Sequence, residues 1–352
     1  MKLGNFLFPE SRTPESDFEA VNDALAEAQL SDELGFDAVW LGEHHFDGAC
    51  AYVDPTTFAG AVAATTKRVK IGFSAVQMAL HHPVRLAEQV ALLDNLSNGR
   101  VILGTGRGTA FNFYEYRGYG IPFEEAQERL VEAEEVIVKA WTTPDYRHEG
   151  KFWKLQIPVL RPRVLQDPHP PIGRAVASEG TMLEMARQGR PFMLVNRPDD
   201  ETKRRFELYR EAMSEAGFDE EAVARSMDDC WIWRNVIVAE TDAEAEALAV
   251  KAYHGSRDHI NGVRERLNTT AEQSSLRGEM ADPRHTFEHG VIFGSPDTVT
   301  ERLDRLRKIG MGGLIIHFRL GPLSRDANEN SLRLFAARVA PELNRLKKKC
   351  GV

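Results

Sequence analysis

Two periodicities alternate along the chain. Short apolar runs of strand length occur at residues 2–8, 38–41, 69–76, 101–104, 172–177, 192–195, 230–238 and 313–318. Between them, apolar residues return every three or four positions, the spacing of a helix that buries one face. In the first such segment Phe18, Val21, Leu25 and Ala28 follow the capping-box pattern Ser16-Asp17-Phe18-Glu19, and Gly35 stops the helix. Further helices are predicted over 55–66, 82–97, 123–141, 181–187, 200–216, 241–253, 298–309 and 330–347, the one at 82–97 opening on Pro83. Strands that alternate with helices in this way make a parallel sheet. Eight such units fit an α/β fold, a closed (β/α)8 TIM barrel. Its longer insertions are 142–171, with a hairpin turn at Glu149-Gly150-Lys151, and 255–289. An open doubly wound sheet would carry a glycine-rich fingerprint after its first strand, and Pro9-Glu10-Ser11 is not one. No linker, repeat or composition shift divides the chain, so residues 1–352 read as a single domain.

The carboxyl ends of the strands are where such folds place their chemistry. Leu41-Gly42-Glu43-His44-His45-Phe46 stands at one of them. Imidazole titrates near neutrality, so His44 suits a general acid or base, with Glu43 or His45 to orient it. A histidine satisfied within the structure is the alternative. Gly104-Thr105-Gly106-Arg107-Gly108-Thr109 lets backbone approach a ligand closely and offers the Arg107 fork to a phosphate. It matches neither a dinucleotide fingerprint nor a Walker loop, and a tight turn with a surface arginine reads equally well. Ala177-Ser178-Glu179-Gly180-Thr181 opens a helix, where hydroxyls and free N–H groups hold an anion or simply cap the helix. Gly72-Phe73-Ser74-Ala75 is small enough to admit a flat ring against the backbone, or to pack closely in a core.

The formal net charge of −9 argues against a nucleic-acid or anionic-membrane partner. The basic run Arg345-Leu346-Lys347-Lys348-Lys349 reads as a solvated helix end. Cys50, Cys230 and Cys350 are odd in number and lack CxxC spacing, which argues against a disulfide framework or structural zinc site and suits a reducing cytoplasm. No signal-peptide layout or membrane-length apolar run is present, so a soluble protein is expected.

Lys2 to Phe8, the LGEHHF run, His82-Pro83-Val84-Arg85, residues 92–99, 104–108 and Gly294-Ser295-Pro296 together resemble the bacterial luciferase-like flavin-dependent monooxygenases, especially the alkanal monooxygenase alpha subunit. The resemblance implies FMN as cofactor, supplied reduced by a separate flavin reductase. It also implies reaction with O2 through a peroxyflavin, and a small organic substrate such as an aldehyde or ketone. His44 becomes the acid/base, with Glu43 and His45 beside it. Arg107, Arg129, Ser178, Glu179, Gly180 and Thr181 become the phosphate site, and Ser74-Ala75 falls where the family often has a non-prolyl cis peptide. Residues 255–290 match a mobile lid, and a homodimer is implied. Gly106 replaces a reactive cysteine of luciferase, Ala110 a tyrosine and Asn196 a tryptophan, so long-chain aldehyde specificity and light emission are not implied. Phe46, Phe111, Phe113 and Trp233 are candidates for the substrate wall. No metal site is expected. A deazaflavin-dependent oxidoreductase and a non-catalytic flavin-binding subunit are the rival readings.

Overall fold

The computed structural model describes residues 1–109, 111–273 and 286–349. Its strands are β1 (Lys2–Leu7), β2 (Ala38–Leu41), β3 (Lys70–Phe73), β4 (Val76–Gln77), β5 (Val101–Gly106), β6 (Tyr146–Glu149), β7 (Lys154–Ile157), β8 (Ile172–Val176), β9 (Phe192–Leu194), β10 (Trp231–Val238), β11 (Ile292–Gly294) and β12 (Gly313–His317). Eight of them close a ring of parallel neighbours in the order β1-β2-β3-β5-β8-β9-β10-β12 and back to β1. These are the eight runs read as strands from the sequence, and the architecture is the (β/α)8 barrel.

Two short strands lie outside that reading. The run at 69–76 is broken by a cis peptide between Ser74 and Ala75, so β4 is separate and pairs with β5 beyond the break. The three-residue β11 lies parallel beside the end of β10, Val236–Val238, and was too short to be read as an element. β6 and β7 form the expected antiparallel hairpin.

Strand alternation sorts the core into two layers. Leu3, Leu7, Val39, Leu41, Ile71, Leu314 and Ile316 point outward and meet the helices in the large outer core. Phe6, Trp40, Met193, Trp231 and Ile315 fill the barrel interior. Trp40 and Trp231 pack edge to face with centroids 4.8 Å apart. The room for them comes from glycines on neighbouring strands: a Cβ at Gly4 or Gly72 would overlap the Trp40 ring, and one at Gly313 the Trp231 ring. Towards the carboxyl rim the interior side chains are Phe8, Ala75, Ala175 and Trp233. The sequence therefore plugs one end with the Trp40 and Trp231 rings, while at the other the small side chains Ala75 and Ala175 stand across from Phe8 and Trp233.

Several helices depart from expectation. Ser16 makes no side-chain cap for helix Asp17–Leu34; its hydroxyl bonds the Thr13 carbonyl at 2.7 Å instead, and the capping box belongs to the preceding turn headed by Thr13. The glycine-rich loop at 105–122 holds a helix, Phe113–Gly118. Helix Glu220–Asp228, capped by Asp219, was not anticipated. The helix expected at 241–253 runs on as Asp242–Leu267, so the first part of the proposed lid is regular helix. Gly255 does not break it; glycine stands there because a Cβ would lie 2.7 Å from Pro322. At the other end of that lid Phe287–Gly290 is a single helical turn, and residues 274–285 lie outside the described ones, as does Cys350. The terminal helix starts earlier than read, at Arg325, with a π-helical stretch Phe335–Val339. No described helix is long and apolar enough to cross a membrane.

Candidate functional site

The segment after β2 carries Glu43, His44 and His45 to the carboxyl rim. His44 is held by a residue far along the chain. Its Nδ1 lies 2.8 Å from Oε1 of Glu115, on helix Phe113–Gly118. Glu115 is fully buried and also accepts from the His45 backbone N–H (2.9 Å) and from Gln77 Nε2 (2.9 Å). The Asn112 amide approaches His44 Nδ1 to 3.0 Å and Glu115 Oε1 to 3.3 Å. With Nδ1 committed to Glu115, Nε2 is the nitrogen left to exchange a proton. On its other side His44 meets the edge of Phe8, centroids 5.5 Å apart.

Glu43 and His45 form a second cluster, and neither bonds the His44 ring. Glu43 Oε1 pairs with His45 Nε2 at 2.9 Å and His81 Nε2 at 2.8 Å, while Oε2 accepts from the Gln77 backbone at 2.6 Å. His45 Nδ1 faces the Tyr119 hydroxyl at 3.1 Å. Gln77 bridges the two clusters, since its Nε2 donates both to Glu43 O and to Glu115. The orientation of His44 thus comes from Glu115, whereas Glu43 fastens the loop to β4.

The electrostatics follow from these contacts. Burial alone would lower the His44 pKa, but the Glu115 charge and hydrogen bond, helped by Asp47, outweigh it and raise the value. Burial would raise Glu115, but His44 and the donors around it hold it below the ordinary carboxylate value. Burial opposes ionisation of Glu43 as well, and His81 and His45 overcome it, bringing the carboxyl down to about 2. His317, inward-facing at the end of β12, behaves oppositely: burial pushes its pKa down to about 4, so it is neutral near pH 7. It lies between Phe6, Phe8 and Trp233, with Nδ1 3.1 Å from Asn235 Oδ1. His44, Asp47 and Glu115 each bring one metal-ligand type of atom within 4.8 Å of the others. Those atoms are already hydrogen-bonded among themselves and to neighbours, and the arrangement suits proton handling.

At the carboxyl ends of β3, β5 and β8, the strands that follow β2 in the ring, the rim carries small side chains. Ala75, at the cis bond, and Ala175 flank Gly106, where a Cβ would stand 3.0 Å from Ala75 Cβ and 3.8 Å from Ala175 Cβ. Ser74 lies on the other side of that bond. Arg107 follows directly, its guanidinium 5.3 Å over the Phe123 ring and its carbonyl taken by the Tyr116 hydroxyl. Ser178 caps helix Glu179–Arg187: its Oγ accepts from the Thr181 N–H at 3.2 Å and lies 3.0 Å from the Thr181 hydroxyl. Gly180 has open space where a Cβ would be, and Glu179 is paired with Arg204. Arg129 stacks on Phe152 at 4.3 Å and pairs with Glu125 at 2.8 Å.

The aromatic candidates separate. Trp233 faces the barrel interior. Phe111 lies under the Arg264 guanidinium at 4.9 Å. Phe113 packs on Phe123 at 4.8 Å, behind Arg107. Phe46 is 60% exposed, with a positive φ of 68°, and rests on Gly118 beside Tyr119 at the outer rim. Sequence reasoning missed Glu115, Gln77, His81, Asn112, Arg264 and His317. For His317 a signal was present, the inward alternation Gly313, Ile315, His317 along one strand.

The model of the family described as luciferase-like monooxygenase matches residues 1–312. The oxygenase component of the flavin-dependent trigonelline monooxygenase of Acinetobacter baylyi is 33% identical over 174 residues, 49% of this chain and 48% of that one. The chain spans about half the length of the first curated relatives it matches. The monooxygenase RslO1 of Streptomyces bottropensis superposes with a TM-score of 0.81 at 30% identity, covering 97% of this chain and 99% of that one. The oxygenating constituent of 3,6-diketocamphane monooxygenase from Pseudomonas putida, solved with FMN, shares the fold at 23% identity, with a TM-score of 0.77 over 97% and 98% of the two chains. This chain belongs to the luciferase-like monooxygenase family.

Proposed function

We propose that this chain is the oxygenase component of a two-component FMN-dependent monooxygenase acting on a small organic substrate. The observation that carries the reading is the His44–Glu115 pair on the same carboxyl rim as the small residues Ala75, Gly106 and Ala175. Small residues there fit a flat isoalloxazine ring, because larger side chains would occupy its plane. Arg107 and the Ser178–Thr181 helix start supply a cation and N–H donors suited to the phosphate. Arg129 serves as a further cation there only by sharing its guanidinium with Glu125. When bound, reduced flavin supplies the two electrons that let O2 place one atom in the substrate and release the other as water.

The chain's own contributions are positional and protic. Glu115 fixes the His44 ring and keeps Nδ1 protonated, so Nε2 takes up and returns the proton. Neutral His317, Phe8 and Trp233 make a wall that excludes water. The resemblance assigns a homodimer and a separate reductase, and the buried free thiols Cys50 and Cys230 suit the cytoplasm. Anaerobic titration with reduced FMN and with a reduced deazaflavin tests the cofactor. Tighter FMN binding, with O2-dependent product formation once a reductase is added, is expected. Tighter deazaflavin binding with oxygen-independent hydride transfer would overturn the reading.

A further inference from the structure

We propose that Arg264, with Arg257 behind it, seats an anionic group, a carboxylate, on the substrate. The inference rests on the flavin reading above and adds a substrate class to it.

Helix Asp242–Leu267 crosses the carboxyl rim. Near its middle, Gly255 O accepts from Arg12 at 2.8 Å and Ser256 bonds Glu10, both on the loop after β1. At its far end, Leu267 O accepts from Arg117 at 2.6 Å and Asn268 donates to Phe111 O at 2.8 Å, on the segment after β5. β2 and β3 lie between those two strands in the ring, so the helix passes the loop that carries His44. Arg264 Nε donates to Asn112 Oδ1 at 3.1 Å, and the Nδ2 of that same amide is 3.0 Å from His44 Nδ1. One side chain thus separates this cation from the proposed acid/base.

Arg264 is half-buried, its guanidinium carbon stands over the Phe111 ring 4.9 Å from the centroid, and among the described residues it is bonded only through Nε to a neutral amide. Among the described residues its terminal nitrogens donate no hydrogen bond, and no carboxylate lies within 4 Å. The nearest acids are already engaged. Glu115 is held by His44, His45 N–H and Gln77, and Asp47 by the Tyr114 hydroxyl and the Ala49 N–H, each at 2.8 Å. Arg257, two turns back on the same helix, is near enough to repel Arg264 rather than neutralise it. A partly desolvated guanidinium without a counter-ion is costly. Its planar fork matches a carboxylate through two parallel hydrogen bonds. The Phe111 face beneath gives the attached organic body an apolar contact. The flavin phosphate has its own candidates in Arg107 and Ser178, which leaves Arg264 to the substrate side.

The test is calorimetric titration of the full chain, saturated with FMN to fill the phosphate site. The probes are matched acids and amides: benzoate against benzamide, and octanoate against octanamide. At least one acid should bind about tenfold or more tighter than its amide. Arg264→Gln should erase that preference, Arg264→Lys should keep part of it, Arg257→Gln should weaken it, and FMN affinity should stay unchanged in all three. Equal binding of both acids and their amides, or a preference that survives Arg264→Gln, overturns the proposal. Failure of FMN to bind would count against the flavin reading instead, and the acid–amide comparison on the flavin-free variants still decides this one.

Discussion

Nδ1 of His44 lies 2.8 Å from Oε1 of Glu115, 71 residues further along the chain. The contact joins the loop after β2 to a short helix after β5, so two nearby segments of the rim hold the titratable ring between them. It also fixes the direction of the pH response. The pKa of His44 is raised in the fold, so protonated His44 stabilises the fold fully below the unfolded value near 6.5. That contribution is lost as pH rises through the folded value.

Replacing Glu115 by Gln removes the charge that raises His44. The His44 titration, followed by NMR of the imidazole C–H, is expected to move down in pH. The limb of the pH–rate profile governed by that ring should move with it. An unmoved titration would show that Glu115 does not set the protonation of His44.

Loss of the ring itself should be felt in turnover and not in flavin binding. His44→Ala is expected to lower product formation by roughly 10²–10⁴, the usual worth of a positioned acid or base. The Kd for reduced FMN should hold, because Arg107 and the Ser178 helix start are untouched. Full turnover in this variant would remove His44 from the chemistry.

A buried acid on the outer side of β1 makes stability depend on pH. Glu27, on helix Asp17–Leu34, faces β1 and accepts from Asn5 at 2.9 Å and from Asn328 at 2.8 Å. Burial raises its pKa to about 7 despite those donors. The folded state therefore holds a proton that the unfolded state releases near 4.5, and stability falls as pH rises from there to about 7, by about 3 kcal/mol at most. Glu27→Gln should flatten that dependence, because the Oδ1 atoms of Asn5 and Asn328 are buried without partners and an amide flip lets one of them accept from Gln. Thermal melts at pH 5 and pH 8 should differ more in the parent than in the variant; an unchanged difference would contradict this.

The interior plug is similarly exact in its demands. Gly72→Ala drives a methyl into the Trp40 ring, which is wholly buried and backed by Trp231. Overpacking of this kind costs about 1–3 kcal/mol, so a clear drop in denaturation midpoint is expected. Gly60→Ala, with its nearest neighbour 4.0 Å away in helix Pro55–Thr65, should cost far less and serves as the control. Equal effects would mean that the indole does not need the space.

The barrel was legible because strand alternation and helical spacing are local properties. All eight ring strands could be placed from them, and the cis bond at Ser74-Ala75 fell where the family resemblance placed it. His44 was legible for the same reason, as a titratable side chain directly after a strand. Glu115 was not, since it sits among aromatic residues in a stretch read as glycine-rich loop, and its partner is remote in sequence. The length of helix Asp242–Leu267 was hidden by Gly255, whose role is close approach to Pro322 and not termination. Arg264 was lost with it.

Rapid-mixing absorbance shows whether the protein shelters an oxygen-reactive flavin beside His44. The protein is loaded anaerobically with reduced FMN and mixed with oxygenated buffer. A persistent species distinct from both reduced and oxidised flavin is predicted, decaying faster in His44→Ala and faster again when a substrate is present. Immediate conversion to oxidised FMN and hydrogen peroxide, identical in parent and variant and unaltered by any carboxylate tried, would contradict the account.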